Sequence, residues 1–326
     1  MFNAMQDATI STMITKAKPH WVDVTRWAAL VGDWDLTDTV ARYKPPPAAA
    51  NVTPLGLAIC DERFRDGLVR VNLRFEGTGG PMKGESAGIV LGYHAESRAY
   101  LVAGLGAFDS AYCIWEFEPT LGWVPRRNAG TPHNLQHNHD YELKVSLKGQ
   151  RIGLTVDEVP VLEHLLSRPL PGNQLGIYAM TPSPAVFSGY AVQRRSPMAF
   201  VAMQFGEPYD TIYRTVIRPK AEKLGFEVER IDEINRPGII FQDIQRKIED
   251  AKVVIAEITA PNQNVYYEVG YAHALNKPTI LLAQRGKDLP FDIRSYRVIF
   301  YDDSIGGKPL VERTLREHLH SILQEV

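Results

Sequence analysis

The apolar residues of this chain change their period once, near residue 195, and that change restricts it to two architectures in series. Before that point, runs such as Leu68-Val-Arg-Val-Asn-Leu-Arg-Phe75, Tyr141-Glu-Leu-Lys-Val-Ser-Leu147 and Arg151-Ile-Gly-Leu-Thr-Val156 alternate apolar and polar residues, with Gly, Pro, Asn and Asp between them. A period of two places successive side chains on opposite faces of a strand, so residues 1–195 are expected to form an all-β sandwich or barrel. After it, β-branched runs alternate with helix-length amphipathic segments at 209–224 and 239–250, where Ile240, Ile244 and Ile248 fall on one face. Residues 196–326 are therefore expected to form an α/β domain around a parallel sheet, with strands at 199–203, 226–231, 253–258, 279–282 and 298–301. Arg194-Arg-Ser-Pro197 is a hinge too short to let the two domains wander apart.

Charge and cysteine content exclude several function classes. A chain of 326 residues with 44% hydrophobic and 23% charged residues can bury two cores, and a formal net charge of −2 gives no basis for binding nucleic acid through its phosphates. Cys60 and Cys113 lie in apolar surroundings, which argues against a disulfide framework or a thiolate metal site and for a reducing cytoplasm. The first residues lack the basic and apolar regions of a signal peptide, and no window reaches the roughly 18 apolar residues of a membrane span.

The most informative segment runs from Asp250 to Pro278. Its apolar strand is followed by Pro261, Asn262 and Asn264, which supply turn and cap chemistry, and then by a helix carrying a lone carboxylate, Glu268. About one turn inside a helix N-terminus, that carboxylate is expected to stay ionised at neutral pH, with Tyr266, Tyr267 and Tyr271 burying it. Open parallel sheets bind ligands beyond the carboxyl ends of their strands. That edge gathers Gln204, Phe205 and Gly206 after the first strand, Asp232 after the second, and Asn262 and Asn264 before Glu268. Gly206 and the amides near Pro208 are placed to cradle a phosphate, and Asp232 to accept from a ribose hydroxyl or simply to end its strand. Asp250 reads as a helix end or as support behind the site, and His273 as a packed structural histidine.

Phe200-Val-Ala-Met-Gln-Phe-Gly206, Gly225-Phe226 with Arg230-Ile-Asp-Glu233, Asn264-Val-Tyr-Tyr-Glu-Val-Gly-Tyr-Ala272 and Pro290-Phe-Asp-Ile-Arg294 occur in this order. The C-terminal part thereby resembles the nucleoside 2-deoxyribosyltransferase-like superfamily, which includes deoxynucleotide N-glycosidases and TIR-like proteins. The resemblance implies a flavodoxin-like fold with five parallel strands. It also implies that Glu268 is the carboxylate that attacks or stabilises the anomeric carbon, with Gln204, Phe205, Gly206, Asp232, Asn262, Asn264 and Tyr267 around the substrate. Base-exchanging transferases carry an aspartate six positions before that glutamate, where this chain has Asn262, which cannot exchange a proton with a neutral purine. Nicotinamide leaves NAD+ without a general acid. The expected activity is therefore N-glycosidic cleavage of NAD+ or a related nucleotide, in the manner of bacterial defence effectors, with no separate cofactor and with self-association possible. A deoxynucleotide N-glycosidase or deoxyribosyltransferase, and a non-catalytic nucleotide sensor with a lectin-like assembly domain, stay open as alternatives.

In the β half, a hairpin about Lys148-Gly149, a turn at Asp157-Glu158 and Pro169-Leu-Pro-Gly-Asn-Gln-Leu-Gly-Ile-Tyr178 resemble a concanavalin A-like, laminin-G-type jelly roll. That family includes carbohydrate binders, but no calcium-ligating carboxylate set stands out here, and a glycan ligand is the minority reading. His133, His137, His139 and Asp140 lie close enough to collect a metal, yet their turn-rich setting reads as a solvated loop. No metal is expected. Trp21, Trp27, Trp34, Trp115 and Trp123 read as core or edge packing.

Overall fold

A computed structural model describes residues 21–47, 54–78, 82, 84–231, 240–289, 293, 296–302, 304 and 307–324, with the side chains of 240 and 241 left aside. Among these residues, two antiparallel sheets make a sandwich. The first orders Val159–Leu165, Arg151–Val156, Tyr141–Lys148, Gly67–Phe75, Ala185–Arg194, Val40–Lys44 and Asp33–Leu36, with Val22–Asp23 paired to Ala185–Arg194. The second orders Gly122–Ala129, Tyr112–Glu118, Tyr100–Leu105, Ser86–Tyr93, Gln174–Met180, Leu55–Arg63 and Trp27–Val31. Alternation explains the first sheet. Val69, Val71, Leu73 and Phe75 point inward and are buried, while the residues between them are not fully so.

The second sheet departs from simple alternation. Tyr100–Leu105 is buried along its whole length, and Leu57, Tyr100, Val102, Trp115 and Tyr178 form a second apolar cluster on its far face. A sheet whose two faces both carry apolar side chains is apolar throughout in sequence, so its outer layer hides within runs that read as ordinary strands. Both predicted turns form with left-handed residues: Gly149 has φ +57°, and Asp157 and Glu158 have φ +48° and +64°.

The C-terminal sheet is parallel and orders its strands second, first, third, fourth, fifth: Glu227–Arg230, Met198–Ala202, Val253–Glu257, Thr279–Gln284 and Val298–Tyr301. Val253 and Ile255 pack with Ala199 and Val201 beneath Tyr213, Val216, Leu315 and Leu319. Val254 and Ala256 face the other way, beneath Ile248, Val265, Val269 and Ala272. The helix expected over 209–224 is three pieces, because a π-turn at Tyr213–Ile217 joins Tyr209–Ile212 to Arg218–Lys223. Pro219, with no amide hydrogen to donate, sits just after the widened turn. Among the described residues, no helix is long and apolar enough to cross a membrane.

The two domains meet through charge. The hairpin tip of the sandwich reaches the ends of two helices: Lys148 Nζ lies 2.8 Å and Arg151 Nε 3.0 Å from the Asp250 carboxylate, and Arg151 also pairs with Glu249. Gln150 Nε2 donates to Leu275 O at 2.8 Å, at the C-cap of the helix Gln263–Ala274 that bears Glu268. Asp250 therefore serves the domain junction and not the ligand edge. It ends a helix three residues before a strand starts, which puts it at the amino end of the sheet.

Candidate active site

Beyond the carboxyl ends of the strands, the first loop is open. Gln204 is half-buried, Phe205 is 48% exposed, and Gly206 takes φ +91°, a left-handed conformation in which an added Cβ would meet nothing within 4 Å. The loop is anchored from beneath by Arg230, at the end of the second strand. Its buried guanidinium donates to Asp210 Oδ1 at 2.7 Å, stacks 4.3 Å from the Tyr213 ring centroid and lies 5.4 Å from that of Phe205. Hydrogen bonding from Arg230 holds the Asp210 carboxyl below the usual range. Asp232, expected to reach a sugar hydroxyl, lies outside the described residues.

Glu268 stands on the helix Gln263–Ala274. Asn262 caps it with extended backbone, its side-chain oxygen accepting from Asn264 N at 3.0 Å. Val265, Glu268, Val269 and Ala272 form the stripe pressed toward the sheet, and Glu268 is 6% exposed. Among the described residues, no side chain hydrogen-bonds to its carboxyl. The expectation of a firmly ionised carboxylate is thereby corrected: burial pushes Glu268 up to about 7. The reason is position. Glu268 is the sixth helical residue, past the unpaired amides of the first turn where the dipole acts, and desolvation prevails.

The three tyrosines expected around Glu268 separate. Tyr266 O–H donates to Ile258 O at 3.4 Å, and Tyr271 O–H to Glu249 Oε1 at 2.6 Å, toward the neighbouring helix. Tyr267 is 46% exposed, with Gln245 Nε2 3.5 Å from its hydroxyl, so it and the exposed Asn264 stand on the outer side of the helix. Gln204, Phe205, Gly206 and Asn262 share the sheet edge from which the Glu268 helix starts. His273 stacks on Tyr296 with centroids 4.1 Å apart, and burial lowers its pKa, as suits a neutral structural ring.

A second carboxylate at this edge escaped the sequence reading. Glu257 ends the central strand and is 1% exposed. Its Oε1 accepts from Thr259 N at 3.2 Å, from the Thr259 hydroxyl and from the Tyr301 hydroxyl at 2.9 Å, while Oε2 is buried with no partner among the described residues. Thr259 Oγ in turn accepts from Gln284 N at 2.7 Å, so the ends of three strands are tied together here. Burial raises Glu257, and burial followed by the Glu257 charge raises Tyr209 and Tyr266. The available signal was a carboxylate closing an otherwise apolar β-branched run.

In the sandwich, the imidazoles go to separate partners: His137 Nε2 lies 2.9 Å from Glu85, and His139 faces Asp157 at 3.6 Å. His133 instead lines a cleft of about 560 Å³ with Trp115, Trp123, Tyr178, Phe108 and Asp109. Phe108 and Asp109 both take φ +52°, and Ser110 Oγ braces them by donating to Phe108 O at 3.1 Å. Trp115 and Trp123 thus border a ligand-sized space as well as packing the sheet. Trp34 stays in the core, and Trp21 carries the Arg70 guanidinium 4.4 Å from its ring centroid.

No protein-family model matches this sequence, and no curated protein does. Solved structures similar to it include the carbohydrate-binding module CBM66 from Bacillus subtilis, at 17% identity over 52% of this chain and 95% of that one, with a TM-score of 0.43. The Bacillus licheniformis beta-glucanase matches at 9% identity over 54% of this chain and 98% of that one, with a TM-score of 0.40. The likeness concerns the N-terminal sandwich and is one of fold alone.

Proposed function

We propose that the C-terminal domain is a nucleotide N-glycosidase whose preferred substrate is NAD+, related to the nucleoside 2-deoxyribosyltransferase-like and TIR-like proteins. The second-first-third-fourth-fifth strand order agrees with a flavodoxin-like sheet, in which ligands bind beyond the strand ends at the reversal between the first and third strands. The observation that carries the reading is Glu268, a buried carboxyl to which no described side chain hydrogen-bonds, on the first helix after the central strand. Buried charge that packing does not satisfy is costly, and it clusters where chemistry uses it. In the reaction, the C1′–N bond breaks with its electron pair passing to the nicotinamide nitrogen, which leaves neutral. Glu268, ionised as the cationic ring approaches, stabilises the sugar cation or bonds to it briefly, and water then supplies the oxygen and releases a proton. Incubation with NAD+ and with a panel of deoxynucleotides, followed by chromatography for free base, tests it. Nicotinamide release is the expected result, and release only from deoxynucleotides moves the assignment to that alternative.

A ligand role for the sandwich, which we read as a concanavalin A-like jelly roll, rests on the aromatic cleft. Rings flanked by one carboxylate and one imidazole suit a saccharide, whose C–H faces stack on aromatics while its hydroxyls bond at the rim. Glycan binding that is lost in Trp123→Ala with the fold intact is the expected result.

A further inference from the structure

We infer that Glu257 is a positioning and specificity-determining residue of the same site, its free oxygen accepting a hydrogen bond from a hydroxyl of the ligand's sugar; this rests on the nucleotide reading above. The asymmetry of the carboxyl carries the argument. Thr259 N, the Thr259 hydroxyl and the Tyr301 hydroxyl all donate to Oε1, and none of the described residues donates to Oε2, although the side chain is 1% exposed. A buried acceptor left unmatched costs stability, and the great majority of such groups in proteins find partners. Here the unmatched acceptor stands at the carboxyl end of the central strand, five residues before the helix cap Asn262 and eleven before Glu268.

Its surroundings come from the elements that border the proposed crevice. Tyr209 opens the helix after the Gln204–Gly206 loop, Tyr266 is on the Glu268 helix, and Tyr301 ends the fifth strand; each has its pKa raised by burial and by the Glu257 charge. An acceptor among these groups calls for a donor. Phosphate at neutral pH offers none, whereas the sugar offers hydroxyls beside the carbon that Glu268 addresses. An acceptor built for a hydroxyl also rejects an analogue lacking it, because the acceptor is then buried unpaired.

Glu257→Gln isolates this role. Three donors at the ε1 position require an oxygen there, so the amide oxygen takes that place and the NH₂ group falls at ε2, where it donates instead of accepts. The network is kept, and only the free position changes sign. The experiment measures, at pH 8, binding of NAD+, nicotinamide mononucleotide, 2′-deoxy-nicotinamide mononucleotide and 3′-deoxy-nicotinamide mononucleotide by calorimetry, for wild type and Glu257→Gln, with thermal midpoints for both. The wild type is expected to bind one deoxy compound on the order of 10- to 100-fold more weakly than nicotinamide mononucleotide, and Glu257→Gln to lose a similar factor for nicotinamide mononucleotide with no further loss for that deoxy compound. Equal wild-type affinity for all three monophosphates overturns the proposal without any variant. So does a folded Glu257→Gln that keeps the wild-type preference. If the wild type binds none of the nucleotides, the functional reading falls and this inference with it; if it binds or cleaves them and Glu257→Gln discriminates as before, only the role of Glu257 falls.

Discussion

The two ends of the parallel sheet differ in how most of their buried charge is met, although at the junction Asp66 also keeps one buried oxygen, Oδ2, without a partner among the described residues. At the amino end, against the sandwich, Asp250 is held by Lys148 and Arg151, Glu249 by Arg151 and Tyr271, and Lys277 Nζ donates to the carbonyls of Glu249 and Ala251 at 2.9 and 2.6 Å. At the carboxyl end, Glu257 has one oxygen without a partner among the described residues, and no described side chain hydrogen-bonds to Glu268. The same desolvation acts at both ends. Where opposite charges and carbonyls meet it, burial yields a fixed joint between domains; where Glu257 and Glu268 leave it unmet, the protein retains destabilising groups to which the proposed function assigns a ligand.

The largest effect on stability should come from breaking the joint. Arg151→Ala strips partners from Asp250 and Glu249, so a loss of about 3 to 4 kcal/mol is expected in denaturant unfolding. A change within error would show the joint to be decorative and remove the contrast.

The unpaired end should respond in the opposite direction. Glu268 has a folded pKa near 7 against about 4.5 unfolded, so the folded protein holds this proton more tightly. Its contribution to stability is therefore fully present below about pH 4.5 and is lost as pH rises through 7. Glu268→Gln, which cannot ionise, should be more stable than wild type at pH 8 by up to about 3 kcal/mol, a gain that shrinks toward pH 5. A variant less stable than wild type at pH 8 would mean that the carboxylate is satisfied after all.

Smaller effects refine the comparison. A Cβ at position 149 would lie 2.5 Å from Asp250 O, on a residue with φ +57°, so Gly149→Ala should cost about 1 to 2 kcal/mol and show whether the tight approach of the domains matters. Phe205→Ala at the open edge should alter stability by no more than about 0.5 kcal/mol, because the ring is 48% exposed, while weakening nucleotide binding.

The fold was legible to the extent that burial leaves a period. Two-sided burial in Val253–Glu257 and one-sided burial in Gly67–Phe75 write different patterns, and both strands were found within a residue of their limits. The outer aromatic layer of the second sheet was not legible, since an apolar residue does not announce which of two apolar faces it serves. Glu268 stood out as a lone carboxylate on an apolar helix face, but its charge state did not, because that depends on packing around the sixth residue of the helix and not on the first turn. Arg230 and Glu257 each end a strand and look like ordinary surface residues there. Only the structure shows that they are buried.

The central claim is that the Glu268 carboxyl acts on the sugar carbon of a bound nucleotide. Its most direct test is nicotinamide release from NAD+ as a function of pH by wild type and Glu268→Gln, with NAD+ binding measured in parallel. Expected are a wild-type kcat/KM that rises with pH to a plateau with an inflection near 7, a loss of roughly a hundredfold or more in Glu268→Gln, and NAD+ affinity largely retained. Undiminished release by Glu268→Gln, or a wild type that binds NAD+ and never cleaves it, would contradict the account.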